Sequence, residues 1–137
     1  MIEEIDINNQ KDLYRLKQFS LLVHPDSFRY FKNRIFEVAI KTHIKTLVYS
    51  TDTDIVAYAH IDLDVLSNRN FLGICVLPEY QSKGIGKKLI SYLLDNFHDT
   101  LYLTVDNDND RAISLYKKFN FKLIETYNKS GLWQRLA

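Results

Sequence analysis

The chain has 137 residues, of which 46% are apolar and 13% aromatic, enough for one folded domain with a real core and too few for two. Its 18 basic and 17 acidic residues leave a formal charge of +1, so no nucleic-acid footprint is present, and no apolar run approaches the length that spans a bilayer. Cys75 is the single cysteine; with no intrachain disulfide and an acidic, polar start, the expected setting is the reducing cytoplasm.

In chain order, Ile2, Ile5 and Ile7 predict a short first strand. Asn8 or Asn9 is placed to cap a helix from Lys11 to about Phe19, with Leu13, Leu16 and Phe19 on its apolar face. Asp26 or Ser27 is placed to cap a second helix presenting Phe28, Phe31 and Ile35. Residues 35–46 are ambiguous between helix and strand. Thr46 to Ser50 reads as a strand, residues 51–54 as a turn, and Ile55 to Val65 as the returning strand of a hairpin. A turn at residues 67–70 leads into the stretch that organises the rest.

Phe71 to Leu77 is an apolar run closed by Pro78, which has no N–H to pair and restricts the residue before it. After Gln81-Ser82-Lys83-Gly84-Ile85-Gly86, apolar residues recur at Leu89, Ile90, Leu93, Leu94 and Phe97, one stripe of a helix. Gly84 and Gly86 leave the first N–H groups of that helix open to close approach. Lys83, Lys87 and Lys88 add positive charge to the positive end of its dipole, a conflict that a bound phosphate relieves. A plain glycine turn with solvated lysines is the competing account. The P-loop pattern is absent. The dinucleotide fingerprint fails because Leu89 stands at its third glycine and residues 78–83 separate the glycines from the strand.

Thr100 to Val105 alternates as a strand, and Asn109 or Asp110 caps a helix from Arg111 to Phe119 with Ala112, Leu115, Tyr116 and Phe119 as its stripe. Asn120 follows where a left-handed residue is wanted. Phe121 to Tyr127 and Leu132 to Leu136, joined by a turn at residues 128–131, predict a final antiparallel pair. The order predicts a single α/β domain over residues 1–137, with a mixed, mostly antiparallel sheet flanked by helices.

Gln81-x-x-Gly84-x-Gly86 after a strand ending Val76-x-Pro78 resembles the acyl-CoA-binding motif of the GNAT family of N-acetyltransferases. Val105, Asn109, Ala112, Leu115, Tyr116 and Phe121 fall on the same family's later pattern, in the family's order; only Asn120 departs, standing where glycine is usual. The two motifs cover about residues 71–121. The resemblance implies a GNAT-like sheet whose central strand splays from the next one, freeing Ile74, Cys75 and Val76 to pair with a pantetheine arm. It implies that the backbone of Gln81, Ser82, Lys83, Gly84, Ile85, Gly86 and Lys87 cradles a pyrophosphate, that Asn109 contacts the pantetheine or the helix start, and that Tyr116 stands near the thioester sulfur. The implied donor is acetyl-CoA as a co-substrate, with no metal. The implied acceptor is a primary amine, a small molecule or amino sugar, attacking directly in a ternary complex; an antibiotic and a protein terminus stay open beside it.

That chemistry has requirements of its own. A lysine-like amine, with a pKa of ~10.4, must lose a proton before it attacks, and the departing thiolate must gain one. A phenol is protonated at neutral pH, which makes Tyr116 the candidate general acid; from helix spacing alone it reads as a core tyrosine. The acidic position frequent in the family's next strand corresponds to Thr104 here. His60 and Asp62 share one strand face with Asp64 and are candidate bases; a polar strand face, Glu79 and an ordered water path stay open beside them. The resemblance places residues 24–34 against the acceptor, so His24, Arg29, Tyr30 and Arg34 are candidate acceptor contacts, with Arg29 and Arg34 suited to a carboxylate or phosphate. Phe28, Tyr30 and Phe31 equally suit helix packing, and Trp133 suits core or cleft.

Asp106-Asn107-Asp108-Asn109-Asp110 is not a calcium loop, because Arg111 and Lys117 stand where that loop needs Gly and Glu. Cys75 suits inert core better than acyl carriage. The reading is an acyl-CoA-dependent N-acetyltransferase. A catalytically silent acyl-CoA-binding module, another acyl donor or a hydroxyl acceptor stay open, as does a homodimer through the exposed final strands.

Overall fold

The computed structural model describes residues 1–23, 28–52 and 54–137. Strands β1 (Ile2–Glu4), β2 (His43–Thr51), β3 (Asp54–Asp64), β4 (Arg69–Val76), β5 (Leu101–Asp106), β6 (Lys122–Thr126) and β7 (Ser130–Arg135) form one sheet in the order β1-β2-β3-β4-β5-β7-β6. Helices are α1 (Gln10–Leu22), α2 (Phe36–Ala39), α3 (Ile85–Asp95) and α4 (Asp110–Lys118). Every strand pair is antiparallel except β4–β5. The expected mixed, mostly antiparallel α/β sheet is therefore present.

The end signals act as their chemistry dictates. Asn9 caps α1 by accepting from the Asp12 N–H at 3.0 Å, and Asn109 caps α4 by accepting from the Ala112 N–H at 3.2 Å. Asn120 adopts φ 68°, the left-handed stop anticipated after α4. The alternation of β3 fills two cores. Ala57, Ala59 and Ile61 join Leu89, Ile90 and Leu93 of α3 in one cluster, while Tyr58 joins Leu16 and Phe19 of α1 in the other. With both faces covered, Val56 to Ile61 are all buried.

The second helix was expected one stretch too early. Phe28 and Phe31 pack against the α1 cluster as its apolar face required, but the backbone of 28–34 makes turns, Asn33 has φ 62°, and Ile35 is 68% exposed as the N-cap residue of α2. Aromatic burial here is met by rings lying on the sheet without helical spacing. The caps suggested at Asp26 and Ser27 lie outside the described residues. The ambiguous 35–46 divides into α2, a 3-10 turn at Ile40–Thr42, and the start of β2.

A one-residue irregularity at Ile44 decides what faces what. Lys45 lies opposite Ile61 and Thr46 opposite His60, yet His43 lies opposite Asp62. Regular pairing would turn His43 to the other face; the bulge brings it to the face of His60 and Asp62.

A cleft between β4, β5 and α4

β4 and β5 touch in register only at Phe71 and Tyr102. Beyond that pair they diverge, and the opening continues as a cleft of about 1560 Å³ lined by Ile74, Cys75, Val76, Thr104, Val105, Asp106, Asn109 and Tyr116. The β4 residues Ile74, Cys75 and Val76 pair with β3 on their other edge, so the edge towards β5 is free to pair with an extended ligand.

The turn before α3 closes one end. Ser82 (φ 64°) and Gly84 (φ 80°) both adopt left-handed backbone, and Gly84 is the N-cap of α3 without any side-chain bond to its N–H groups. Alternating conformations of this sort make a concave group of N–H donors that receives an anion at the positive end of the helix dipole. Gln81, Ser82, Gly84, Ile85, Gly86 and Lys87 line the cleft. The Lys83 ammonium lies 5.4 Å from the centre of the Tyr80 ring, and Lys83 is not itself among the lining residues, although Tyr80 is. The Gln81 side chain works within the protein: it donates to the Val76 carbonyl at 3.1 Å and accepts from Arg111 at 2.8 Å, tying the turn to β4 and α4. A Cβ at Gly86 would lie 3.6 Å from Ile74, 3.7 Å from Leu115 and 3.8 Å from Val76. Glycine therefore leaves a slot between β4 and α4 that any side chain would fill.

Tyr116 is buried, its ring edge-on to Phe121, and burial pushes its phenol up to about 12. It lines the cleft, and no hydrogen bond among the described residues engages its hydroxyl. Burial also pushes the Cys75 thiol up to about 12, which leaves no thiolate for acyl carriage at neutral pH.

His60 and Asp62 also line the cleft. His60 is buried and held well below the ordinary histidine range, by burial first and by neighbouring His43 second, so it is neutral at pH 7. Burial pushes the Asp62 carboxyl up, but contacts from His43 and Thr42 outweigh that and hold it below the usual range. The Thr42 hydroxyl donates to Asp62 at 2.5 Å. Thr104 lines the cleft as an uncharged residue, and Glu79 sits exposed on the 3-10 turn Pro78–Tyr80, outside the lining. Trp133 is buried in the α3-side core.

Of the candidate acceptor contacts, Arg29, Tyr30 and Arg34 line the cleft and His24 lies outside the described residues. Both arginines are engaged. Arg29 spans the opening to Asp106 at 2.5 Å, and the Arg34 guanidinium lies 4.4 Å over the Tyr30 ring while donating to the Tyr30 carbonyl. Sequence reasoning passed over His43, Tyr58 and Gly73. Tyr58 was visible as the next residue of the His60–Asp62 face, whereas His43 joins that face only through the bulge.

Among the described residues no group of His, Cys, Asp or Glu is placed to hold a metal, and no helix is long and apolar enough to cross a membrane. The family described as Acetyltransferase (GNAT) family matches residues 11–121. The chain is 31% identical to N-alpha-acetyltransferase 50 of Danio rerio over 144 aligned positions, 97% of this chain and 79% of that protein. It is 33% identical to the L-amino acid N-acetyltransferase AaaT of Escherichia coli K12 over 69% of this chain and 64% of that one. The solved GNAT-family acetyltransferase of Streptococcus pneumoniae superposes with a TM-score of 0.77 at 20% identity, covering 99% of this chain and 98% of the other.

Proposed function

The chain belongs to the GNAT family of acetyltransferases, and from that premise we propose that it moves an acetyl group from acetyl-CoA to the α-amine of a peptide or protein N-terminus. The observation that carries the donor half is the free β4 edge opening onto the left-handed turn at Ser82 and Gly84. Acetyl-CoA supplies an activated acyl group on a thiol that can leave. Ile74, Cys75 and Val76 hold its extended arm by backbone pairing, and the N–H groups from Ser82 to Lys87 receive its pyrophosphate, the Gln81 N–H being engaged by the Pro78 carbonyl.

The acceptor half rests on the engaged arginines. A free amino acid would bring a carboxylate, and the two guanidinium groups suited to it are already held by Asp106 and Tyr30. A peptide N-terminus brings an ammonium without that carboxylate, and Asp62 and Asp64 line the cleft to attract it. Similarity to an N-alpha-acetyltransferase over 97% of this chain and 79% of that protein supports the same choice. Similarity to an L-amino acid N-acetyltransferase supports the second reading, a small amine acceptor. His60 takes the proton of the attacking amine at a ring nitrogen, directly or through one water, and Tyr116 gives its phenolic proton to the departing sulfur.

The test has two stages. Calorimetric titration should find acetyl-CoA binding tighter than about 100 μM, roughly −5.5 kcal/mol, with no competition by ATP or NAD; no binding at millimolar acetyl-CoA would sink the reading. Thiol release should then be faster with short peptides bearing free N-termini than with free amino acids or amino sugars, and the reverse order would transfer the assignment to a small amine.

The Gly86 slot gives a prediction of its own. Gly86→Ala makes only ordinary contacts within the protein and favours the helix by roughly 0.5–1 kcal/mol. It should therefore fold with an unchanged or higher Tm, while acetyl-CoA binds about tenfold more weakly, roughly 1.4 kcal/mol, because the new methyl occupies the floor of the donor site. Calorimetry beside a melting curve separates the two effects.

A further inference from the structure

Behind His60 lies a chain of polar side chains that runs away from the cleft. The Tyr58 hydroxyl contacts His60 Nδ1 at 2.6 Å on one side and His43 Nε2 on the other. His43 Nδ1 lies 3.3 Å from Asp62 Oδ1, at ion-pair distance but without hydrogen-bond geometry, and has no hydrogen-bond partner among the described residues. Tyr58, His43 and His60 are buried, and Asp62 is at the cleft edge. The Tyr30 ring covers the pair, 4.4 Å from His60 and 5.4 Å from His43. Such a file of groups has only a few consistent proton arrangements.

The arrangement follows from donor and acceptor counting. An ionised carboxylate 3.3 Å away repels a bare nitrogen lone pair and attracts an N–H, so the His43 proton is placed on Nδ1, the side of Asp62. A neutral imidazole has one N–H, so His43 Nε2 is then an acceptor and takes the Tyr58 proton. With its single proton given to His43, the Tyr58 oxygen can only accept from His60 Nδ1–H. The remaining nitrogen, His60 Nε2, carries a bare lone pair. Gly73 lies opposite His60 in β4, and a Cβ there would fall 2.4 Å from that nitrogen. The missing side chain leaves Nε2 uncovered at the wall of the cleft.

From this geometry we infer that Asp62, His43 and Tyr58 are positioning residues that fix His60 in its Nδ1–H tautomer, so that Nε2 is the basic atom presented to the acceptor amine. The inference rests on the acetyl-transfer reading of the cleft and deepens it. When Nε2 takes the amine proton, His60 Nδ1–H passes to the Tyr58 oxygen and the Tyr58 proton passes to His43 Nε2. One proton enters at His60 and the positive charge ends on His43 beside the Asp62 carboxylate. No bond between heavy atoms changes and no external reagent is needed. The other groups facing His60 are Tyr30 and Arg34 from the segment before α2 and Phe28 from the same segment. Of these only Arg34 is charged, and its like charge opposes leaving the proton on His60, which favours the outward shift.

The deciding measurement is the tautomer of His60 in the ligand-free protein, read by long-range proton–nitrogen correlation on uniformly 15N-labelled material near neutral pH. The expected result is a single form protonated at Nδ1 and bare at Nε2. A form protonated at Nε2 would overturn the inference whether or not the protein acetylates anything. Tyr58→Phe removes the only acceptor of Nδ1–H, so the single form should be lost and kcat/KM on a short peptide should fall about tenfold to a hundredfold. Because a buried substitution can unfold the chain, Asp62→Asn at the cleft edge serves as the second variant: an amide both donates and accepts, so His43 loses its fixed direction and His60 should become a mixture of tautomers. Unchanged tautomer and unchanged turnover in Asp62→Asn would overturn the positioning role. A parent protein with no acetylation of any amine, but with the expected tautomer, would sink the acetyl-transfer reading and leave the relay standing.

Discussion

Tyr116→Phe is expected to lower kcat and kcat/KM together by about 10²- to 10⁴-fold while acetyl-CoA binding is almost unchanged. The substitution deletes one oxygen and keeps the ring that packs edge-on against Phe121. The hydroxyl to be deleted has no partner among the described residues and its residue lines the cleft, so no described group is left unpaired, and stability should hold or rise slightly. Burial has pushed the phenol up to about 12, which keeps its proton in place at neutral pH until the sulfur departs. An interaction used only as the sulfur departs lowers both kinetic constants equally, whereas a binding contact would raise KM alone. Steady-state kinetics with thiol detection, run beside calorimetric titration of acetyl-CoA, checks both halves. Full turnover in the variant would return Tyr116 to an ordinary core role and shift the acid to solvent.

The local geometry of the proposed donor half was legible in the sequence because it depends on features within single segments. Gly84 and Gly86 at a helix start, Asn109 as a cap and Asn120 as a left-handed stop each act within a few residues of themselves, and each stands where short-range chemistry puts it. The acceptor half was less legible. Phe28, Phe31 and Ile35 had helical spacing, but the first two are half-buried against the α1-side core from a segment of turns and the third is exposed. His43 was hidden altogether: its place beside Asp62 depends on one extra residue in β2, which reverses the side of the sheet that it faces. Arg29 was read as a contact for an anionic acceptor, and its 2.5 Å pairing with Asp106 across 77 residues has no signal in either segment alone. What could be read lies in single segments; what could not is made where distant segments meet.

Gly73→Ala tests that meeting of segments, and it should damage activity and stability together. The added methyl would lie 2.4 Å from His60 Nε2 and 2.7 Å from Cε1, inside any permissible contact. His60 cannot easily retreat, since Tyr58 holds its Nδ1 and the rings of Tyr30 and His43 flank it at 4.4 Å. Overpacking of this kind costs about 1–3 kcal/mol, which for a chain of this size lowers Tm by roughly 3–10 °C. A base shifted by about 1 Å loses on the order of 10²-fold in rate, so kcat/KM should fall by about that factor even where the protein remains folded. The cause is separable by a double-mutant cycle. In a His60→Ala background the space under Gly73 is empty, and Gly73→Ala should then cost almost nothing in Tm, leaving a coupling of about 1–3 kcal/mol between the two positions. Additive losses would mean that alanine disturbs β4 itself, and wild-type turnover in Gly73→Ala would mean that His60 is not the base. Backbone space on β4 and side-chain direction on β3 then amount to one requirement: a glycine on the central strand is what allows a buried histidine to face the cleft.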